Sequence, residues 1–177
     1  MNFSGKHNLL CRLIRENGVE SFVETGTYEA RMALAMAEVV PDVRTIELSE
    51  QLHEENVARV ERSPDVGAKI TLICGHSAKE LPRALEGAQR PLVWLDAHWS
   101  AGKTTRDESG SDTPVVEELR ALKAAGAWAV VAVDDIRCFD GANGYPTVAQ
   151  LGSLVHELWP EATMTREDDV IWFITTG

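Results

Sequence analysis

The sequence predicts an α/β fold in which a mostly parallel, seven-stranded sheet carries helices on both faces and ends in an antiparallel hairpin. Three observations support this prediction. Apolar, β-branched runs alternate with helical patterns, the runs themselves are nearly free of polar residues, and no repeat or interdomain linker interrupts the order. Strands of this composition are buried on both faces, which is typical of parallel sheets covered by helices.

The strands are predicted from short runs rich in Val, Ile, Leu and Phe, each followed by a polar turn. Five of these runs are followed by helices, with bounds Ser21–Glu24, Val43–Glu47, Lys69–Cys74, Pro91–Asp96 and Trp128–Asp134. The tail over 162–176 is predicted as the closing hairpin, with Val170–Ile174 as its second arm. Together these runs account for seven strands.

The helices are predicted from amphipathic patterns that begin at capping residues. A short helical leader over 1–18 precedes the first strand, and the later helices are Arg31–Val40, Gln51–Arg62, Ser77–Leu85, Pro114–Ala125 and Thr147–Leu158. Ser77 is an expected N-cap. Thr113 is another, because Pro114 follows it at the first helical turn, where proline is favoured.

Length and charge limit the organisation of the chain and its partners. A length of 177 residues fits a single domain over 1–177. The net charge of −11 argues against nucleic acid and anionic membranes, since both are bound by clustered Lys and Arg. The three cysteines form no CxxC pair, and we find no signal peptide or membrane-spanning run. We therefore expect a cytoplasmic protein.

A ligand site is predicted where the first two strands end. Gly26 allows a tight turn at a helix N-terminus. Glu47 lies 21 residues later, where an acidic side chain accepts hydrogen bonds from ribose hydroxyls. Gly26 alone does not make the GxGxxG fingerprint, so an adenosyl ligand without a pyrophosphate fits better than a dinucleotide. His76, in the turn after the third strand, lies either beside the purine or in an exposed loop.

Acidic side chains and a histidine are expected to converge at the ends of the fourth and fifth strands. Asp96 and His98 follow one strand, and Asp134 and Asp135 follow the other. A hard divalent cation with oxygen ligands would relieve the repulsion between these carboxylates. The alternative is that one carboxylate caps a helix or holds a loop while another faces water. The polar loop over 101–112 is either a substrate lid or a solvated connection.

The ordered motifs ETGTY, IELS, GHSAKEL, LDAHW, EEL and VDD, over about residues 20–140, resemble class I S-adenosylmethionine (SAM)-dependent methyltransferases. Within that class they are similar to metal-dependent O-methyltransferases of the catechol and macrocin O-methyltransferase type. The resemblance implies a Rossmann-like fold and a set of residues that bind SAM, namely Glu24, Gly26, Tyr28, Glu47, His76, Ser77 and Asp96. Glu24, Gly26 and Tyr28 would line the methionine end, Glu47 would hold the ribose, and His76 and Ser77 would lie by the adenine. It also implies that Mg²⁺ is bound by Asp96, Asp134 and Asp135.

Three features depart from that family. Catechol O-methyltransferase has Asn where this chain has Asp135, and it reads LDHWK where this chain reads LDAHWS, so its lysine base is not carried over. His98 is therefore the best candidate general base, and Lys103 is a weaker candidate for base or substrate anchor. The third departure is the short leader, which should leave the ligand edge of the sheet open. Trp99 would then lie in an exposed apolar patch, and such a patch predicts a homodimer or higher homo-oligomer.

The leading hypothesis is Mg²⁺-dependent transfer of a methyl group from SAM to an oxygen of a small hydroxylated molecule. A metal-dependent hydrolase that uses Asp96, His98, Asp134 and Asp135 is one alternative, although it leaves Gly26 and Glu47 without a role. The other alternative is a module that binds SAM or a nucleotide without catalysis.

Overall fold

The computed structural model describes residues 1–99 and 110–176. The strands are β1 (Ser21–Thr25), β2 (Asp42–Glu47), β3 (Ile70–Cys74), β4 (Pro91–Leu95), β5 (Val130–Val133), β6 (Thr165–Glu167) and β7 (Val170–Ile174). The helices are α1 (Phe3–Asn17), α2 (Arg31–Met36), α3 (Glu50–Glu61), α4 (Pro64–Gly67), α5 (Ser77–Leu85), α6 (Val115–Ala125) and α7 (Val148–Leu158). A 3-10 helix, Ile136–Cys138, follows β5.

The seven strands form one sheet in the order β3-β2-β1-β4-β5-β7-β6. Strands β1 to β5 pair in parallel, whereas β7 runs antiparallel to β5 and β6 antiparallel to β7. The predicted mostly parallel sheet with a C-terminal hairpin is therefore confirmed. The strand order reverses between β1 and β4, and open α/β sheets bind ligands at the carboxyl ends of strands at such a switch point.

Two apolar cores lie on opposite faces of the sheet, as alternating side chains require. On one face Val93 packs with residues of α5, α6 and α7 such as Leu119. On the other face Trp94 packs with residues of α1 and α2 such as Leu10 and Met36. The prediction of helices on both faces is thus confirmed. Among the described residues no helix is both long and apolar enough to cross a membrane.

Three predicted helix boundaries are wrong. The helix predicted over Arg31–Val40 ends at Met36. Val40 precedes Pro41, a position that disfavours the helical conformation, so the predicted end was too late. His76 rather than Ser77 is the N-cap of α5. Helix α6 begins at Val115, and the Thr113 hydroxyl accepts a hydrogen bond from the Val115 amide at 3.3 Å.

Candidate functional site

The turn from β1 to α2 brings the backbone against the end of β4. Gly26 has a φ of +84°, and a Cβ at this position would lie 2.7 Å from the carbonyl oxygen of Asp96. The Gly26 amide donates a hydrogen bond to the Ile46 carbonyl at 2.9 Å. Both the conformation and the close approach favour glycine over any residue with a side chain. This turn therefore lies directly at the switch point between β1 and β4.

Glu47 ends β2 as a carboxylate that the backbone holds in place. Its Oε2 accepts from the Tyr28 amide and its Oε1 from the Ser49 amide, both at 2.9 Å. Burial raises the pKa of Glu47, although these backbone hydrogen bonds act to lower it. Because each carboxylate oxygen can accept a second hydrogen bond, Glu47 is oriented to receive hydroxyl groups of a ligand at this edge.

Glu24 is a second buried acid at the same edge, on β1. Its Oε2 accepts a hydrogen bond from the Thr45 hydroxyl at 2.6 Å. Burial raises the pKa of Glu24 well above its ordinary value, and the charges of Asp96 and Glu47 raise it further. A bound cationic group would favour the ionised form of this carboxyl group.

The remaining predicted cofactor residues lie around Glu47. Tyr28 has a φ of 47° and an exposed side chain. The turn that carries His76 is tied to β2, because the Gly75 amide donates to the Glu47 carbonyl at 2.9 Å. His76 is half-buried and Ser77, the first residue of α5, is buried. The structure thus brings the predicted cofactor residues to one edge of the sheet, while their contact with a cofactor stays a prediction.

His98 connects the end of β4 with the end of β5. Its Nδ1 lies 3.1 Å from the carbonyl oxygen of Asp96 and 3.4 Å from the Asp96 Oδ1. Its Nε2 lies 3.3 Å from Oδ2 of Asp135. Burial acts to lower the pKa of His98, but the hydrogen bond and charge of Asp96 and the charge of Asp135 together raise it above 6.5. The imidazolium form is therefore stabilised between two carboxylates.

A lysine from α1 also lies at this edge. Lys6 Nζ donates to Oδ2 of Asp134 and, at 2.9 Å, to Oδ1 of Asp135. Asp134 Oδ1 accepts from the Asp135 amide at 2.7 Å, so both carboxylate oxygens of Asp134 have partners. The expectation that the short leader leaves the ligand edge open is wrong at the β5 end, because α1 extends the Lys6 side chain across it.

The two adjacent aspartates differ in their ionisation. Burial raises the pKa of Asp134, the charge of Asp96 raises it further, and the hydrogen bond from Lys6 acts in the opposite direction. Burial also acts to raise the pKa of Asp135, but hydrogen bonds from Lys6 and Arg137 outweigh it, so that the pKa of Asp135 is lowered. Asp135 is thus the more firmly ionised of the two.

The predicted metal ligands divide into two groups that share Asp135. Ligand atoms of Asp96, His98 and Asp135 lie within 4.8 Å of one another, and so do those of Asp134, Asp135 and Asp169. Asp134 falls in the second group and is bonded to Lys6, and the binding of a metal by Asp96, Asp134 and Asp135 together stays a prediction. The first group has carboxylate and imidazole donors, a set that fits a hard or borderline divalent cation.

Glu118 is a buried acid to which sequence analysis assigns no role. It is 1% exposed, and its Oε1 has no hydrogen-bond partner among the described residues. Burial raises the pKa of Glu118 to about 7, and hydrogen bonds from Ser77 and Thr25 only partly offset this effect. Its position on the apolar face of α6, beside buried Leu119, is the signal that could have found it.

These side chains line a small cleft beyond the ends of β4 and β5. Its polar lining comprises Asp96, His98, Thr113, Glu118, Asp134, Asp135 and Tyr145. Burial, together with nearby acidic charges, raises the pKa of Tyr145 well above its ordinary value. The cleft can therefore present neutral hydroxyl donors beside ionised carboxylates.

Several further points concern the sequence predictions for this edge. Lys103 lies outside the described residues, as does most of the predicted lid over 101–112, so both stay predictions. Trp99 is half-buried rather than fully exposed.

Lys6 and Arg137 were not predicted from the sequence as residues of this site. Lys6 precedes Asp134 by 128 residues and carries no motif, whereas Arg137, two residues after Asp135, could have been noticed as a nearby counter-charge.

No family model matches the chain, and no curated protein matches its sequence. Solved structures do match it over almost its whole length. The O-methyltransferase TomG from Streptomyces achromogenes, involved in tomaymycin synthesis and solved in complex with SAM, is 20% identical, with a TM-score of 0.67 over 100% of this chain and 82% of its own. The S-adenosylhomocysteine (SAH)-bound methyltransferase PaMTH1 from Podospora anserina is 16% identical, with a TM-score of 0.69 over 100% of this chain and 80% of its own.

The O-methyltransferase from Bacillus cereus, solved in complex with SAH, is likewise 16% identical, with a TM-score of 0.64 over 99% of this chain and 82% of its own. At these identities the similarity is one of fold. The chain has the Rossmann-like fold of class I SAM-dependent O-methyltransferases.

Proposed function

We propose that this chain is a SAM-dependent O-methyltransferase that acts on a small hydroxylated molecule with the help of a divalent cation. The observation that carries the proposal is the position of Gly26 and Glu47 beside the acidic cleft. The backbone of Gly26 and the fixed carboxylate of Glu47 lie at the switch point of the sheet. Asp96 and His98 follow the neighbouring strand β4. The fold shared with SAM-bound and SAH-bound proteins supports the same conclusion.

SAM supplies a methyl group on a positively charged sulfur. In the proposed complex Gly26 lets the cofactor approach the backbone, and Glu47 accepts hydrogen bonds from the ribose hydroxyls. The ammonium group of the methionine end would be a cationic partner for the buried carboxyl group of Glu24. Ser77 and His76 would border the adenine at the start of α5.

Asp96 and Asp135 would hold the cation, Mg²⁺ or a similar hard ion. A divalent cation lowers the pKa of a hydroxyl that it binds and orients its oxygen. Two carboxylates suffice for Mg²⁺, which keeps several other ligand positions for water or substrate. Oδ2 of Asp135 faces His98 rather than Lys6, so this oxygen is directed toward the cleft. Asp134 would act through its hydrogen bond with Lys6.

His98 would be the general base that accepts the proton of the acceptor hydroxyl, with Lys103 as the second candidate. His98 lines the cleft, and its Nε2 lies 3.3 Å from Oδ2 of Asp135, so it adjoins the proposed cation site. This arrangement supports proton transfer within the cleft.

The acceptor would be a small neutral or cationic molecule rather than nucleic acid or membrane lipid. The chain has a net charge of −11, and the cleft is bordered by four carboxyl groups, those of Asp96, Glu118, Asp134 and Asp135. An anionic acceptor would be repelled at such an edge.

We also propose a cytoplasmic location, because Cys11, Cys74 and Cys138 are free thiols. A homo-oligomer stays a proposal that light scattering would test.

Glu47→Ala tests the cofactor site directly. We expect it to weaken SAM binding by about ten- to a hundredfold, since a hydrogen-bonded charged acceptor contributes ~1.5–3 kcal/mol. Isothermal titration calorimetry with SAM measures this change. Glu50→Ala, an exposed acid at the start of α3, is the matched control and should leave the affinity unchanged. The proposal is refuted if the wild-type protein binds no SAM.

A further inference from the structure

Lys6 places a positive charge inside the acidic edge of the sheet. Its ammonium group donates hydrogen bonds to both Asp134 and Asp135, although Lys6 precedes Asp134 by 128 residues in the sequence. The exposed fraction is 17% for the Lys6 side chain, 1% for that of Asp134 and 7% for that of Asp135. Solvent and salt weaken a shielded pair much less than an exposed one. Lys6 is therefore a permanent part of this edge rather than a surface ion pair.

The group of Asp134, Asp135 and Asp169 has the spacing of a cation site, and all three residues are buried. Carboxylates this close repel one another unless positive charge lies between them or one of them is protonated. Protein side chains supply it here: Lys6 bonds Asp134 and Asp135, and Arg137 bonds Asp135 at 2.6 Å and also Asp169. The N-terminal amine also lies 3.8 Å from Oδ2 of Asp169, so positive charge from the chain itself faces all three carboxylates.

Asp135 has two differently partnered oxygens. Its Oδ1 faces Lys6 and Arg137, whereas its Oδ2 faces His98 at the cleft. One side of the carboxylate is satisfied by the fixed charges of the protein. The other side belongs to the group formed with Asp96 and His98, which is half-buried and open to the cleft.

We propose that Lys6 is a positioning residue that takes the place of a second divalent cation at Asp134 and Asp135. The acidic edge then binds a single cation, on the Asp96 side of Asp135. The location of that single cation rests on the proposed function, whereas the exclusion of a cation from Asp134 does not. In the same contact Lys6 holds α1 across the end of β5.

Titration of the full chain with Mn²⁺ tests this proposal. Electron paramagnetic resonance counts free and bound Mn²⁺, and calorimetry gives the affinity, so neither readout needs an acceptor substrate. Loss of the lysine charge in Lys6→Met should add one Mn²⁺ per chain or tighten Mn²⁺ binding at least about tenfold. Lys6→Arg keeps the charge and should keep the wild-type stoichiometry. Arg12→Met is the matched control on α1, because Arg12 pairs with Glu167 outside the cleft.

The outcomes separate this proposal from the proposed function. If Lys6→Met binds Mn²⁺ with the stoichiometry and affinity of the wild type, the role assigned to Lys6 is wrong. If the wild type binds no Mn²⁺ and Lys6→Met binds one, Lys6 excludes a cation as proposed, while the cation in the proposed function is refuted. Circular dichroism checks that the variants fold.

A second variant covers the case in which Lys6→Met does not fold. Asp134→Asn should keep Mn²⁺ binding within about threefold of wild type, because Asp134 is the partner of Lys6 and not a ligand, whereas Asp96→Asn should lose binding. Loss of Mn²⁺ binding in Asp134→Asn would overturn the proposal, since Asp134 would then be a ligand despite its pairing with Lys6.

Discussion

The acidic side chains at the carboxyl edge of the sheet differ in the partners that each one faces. Glu47 faces two backbone amides, and Asp135 faces Lys6 and Arg137. Glu118 faces only hydroxyl groups, those of Ser77 and Thr25, and retains a raised pKa. Hydrogen bonds from amides and cations thus act to lower the pKa of these acids, whereas burial acts to raise it.

Glu118 should make the stability of the protein depend on pH. Its pKa is raised from 4.5 to about 7 in the folded state, so between these values the unfolded chain loses a proton that the folded chain retains. Stability contributed by the protonated form is complete below pH 4.5 and falls as pH rises to about 7. Glu118→Gln stays neutral and should be more stable than wild type at pH 8, by up to about 3 kcal/mol.

Urea unfolding at pH 4.5 and pH 8 measures this difference. The stability gain of Glu118→Gln should be present at pH 8 and nearly absent at pH 4.5. The exposed neighbour Glu117, changed to Gln, is the control and should show no such dependence. A Glu118→Gln variant whose stability differs from wild type by the same amount at both pH values would show that the pKa of Glu118 is not raised in the fold.

His98 should titrate above its ordinary value in the metal-free protein. Asp96 and Asp135 raise its pKa above 6.5 against the effect of burial. Asp96→Asn removes one of these charges and should lower the pKa of His98. Nuclear magnetic resonance of the imidazole protons follows the titration, and His98→Gln assigns the signal. A pKa below 6.5 in the wild type would mean that burial outweighs the two carboxylates.

At the scale of single residues, sequence analysis identified the side chains that follow the ends of strands. Gly26, Glu47, Asp96 and Asp135 could be placed together because parallel strands bring their carboxyl ends to one edge. Lys6 could not, because its position depends on how α1 packs across the sheet. The two groups of carboxylates could not be predicted for the same reason, since Lys6 bonds Asp134 in one of them.

At the scale of secondary structure elements, the strands were predicted more accurately than the helix ends. Apolar runs such as Val130–Val133 are buried on both faces and leave little freedom in their assignment. Helix ends depend on local geometry, as at α5, where His76 rather than Ser77 takes the capping position. As a consequence Ser77 lies inside the helix, where its hydroxyl bonds Glu118.

Helix α1 has a role at the ligand edge that could not be predicted from the sequence. Its helical conformation was predicted, and in the structure Leu10 and Leu13 are buried against the sheet. Its polar contact with the ligand edge was not predicted, because that contact is made by the Lys6 side chain alone among the described residues of α1. Asn2 caps its start and Gly18, in the left-handed conformation, ends it, so α1 is a fixed element on which Lys6 can be positioned.

At the scale of the whole molecule, the sheet order explains why the cofactor residues and the acidic cleft are neighbours. Strand β1 lies between β2 and β4, so that Glu47 and Asp96 flank Gly26 on either side. The cofactor side and the cleft side therefore meet at one turn. A methyl donor held on the first side would face an oxygen held on the second, which is the arrangement that methyl transfer requires.

A crystal structure of the chain grown with SAH and Mn²⁺ tests this central claim most directly. We expect the adenosyl group to lie across Gly26 with its ribose hydroxyls on Glu47, and one anomalous peak to lie between Asp96 and Asp135. Asp134 should remain bonded to Lys6 in the same crystal. SAH bound elsewhere on the chain, or no SAH at millimolar concentration, would contradict the assignment of this edge as a methyltransferase site.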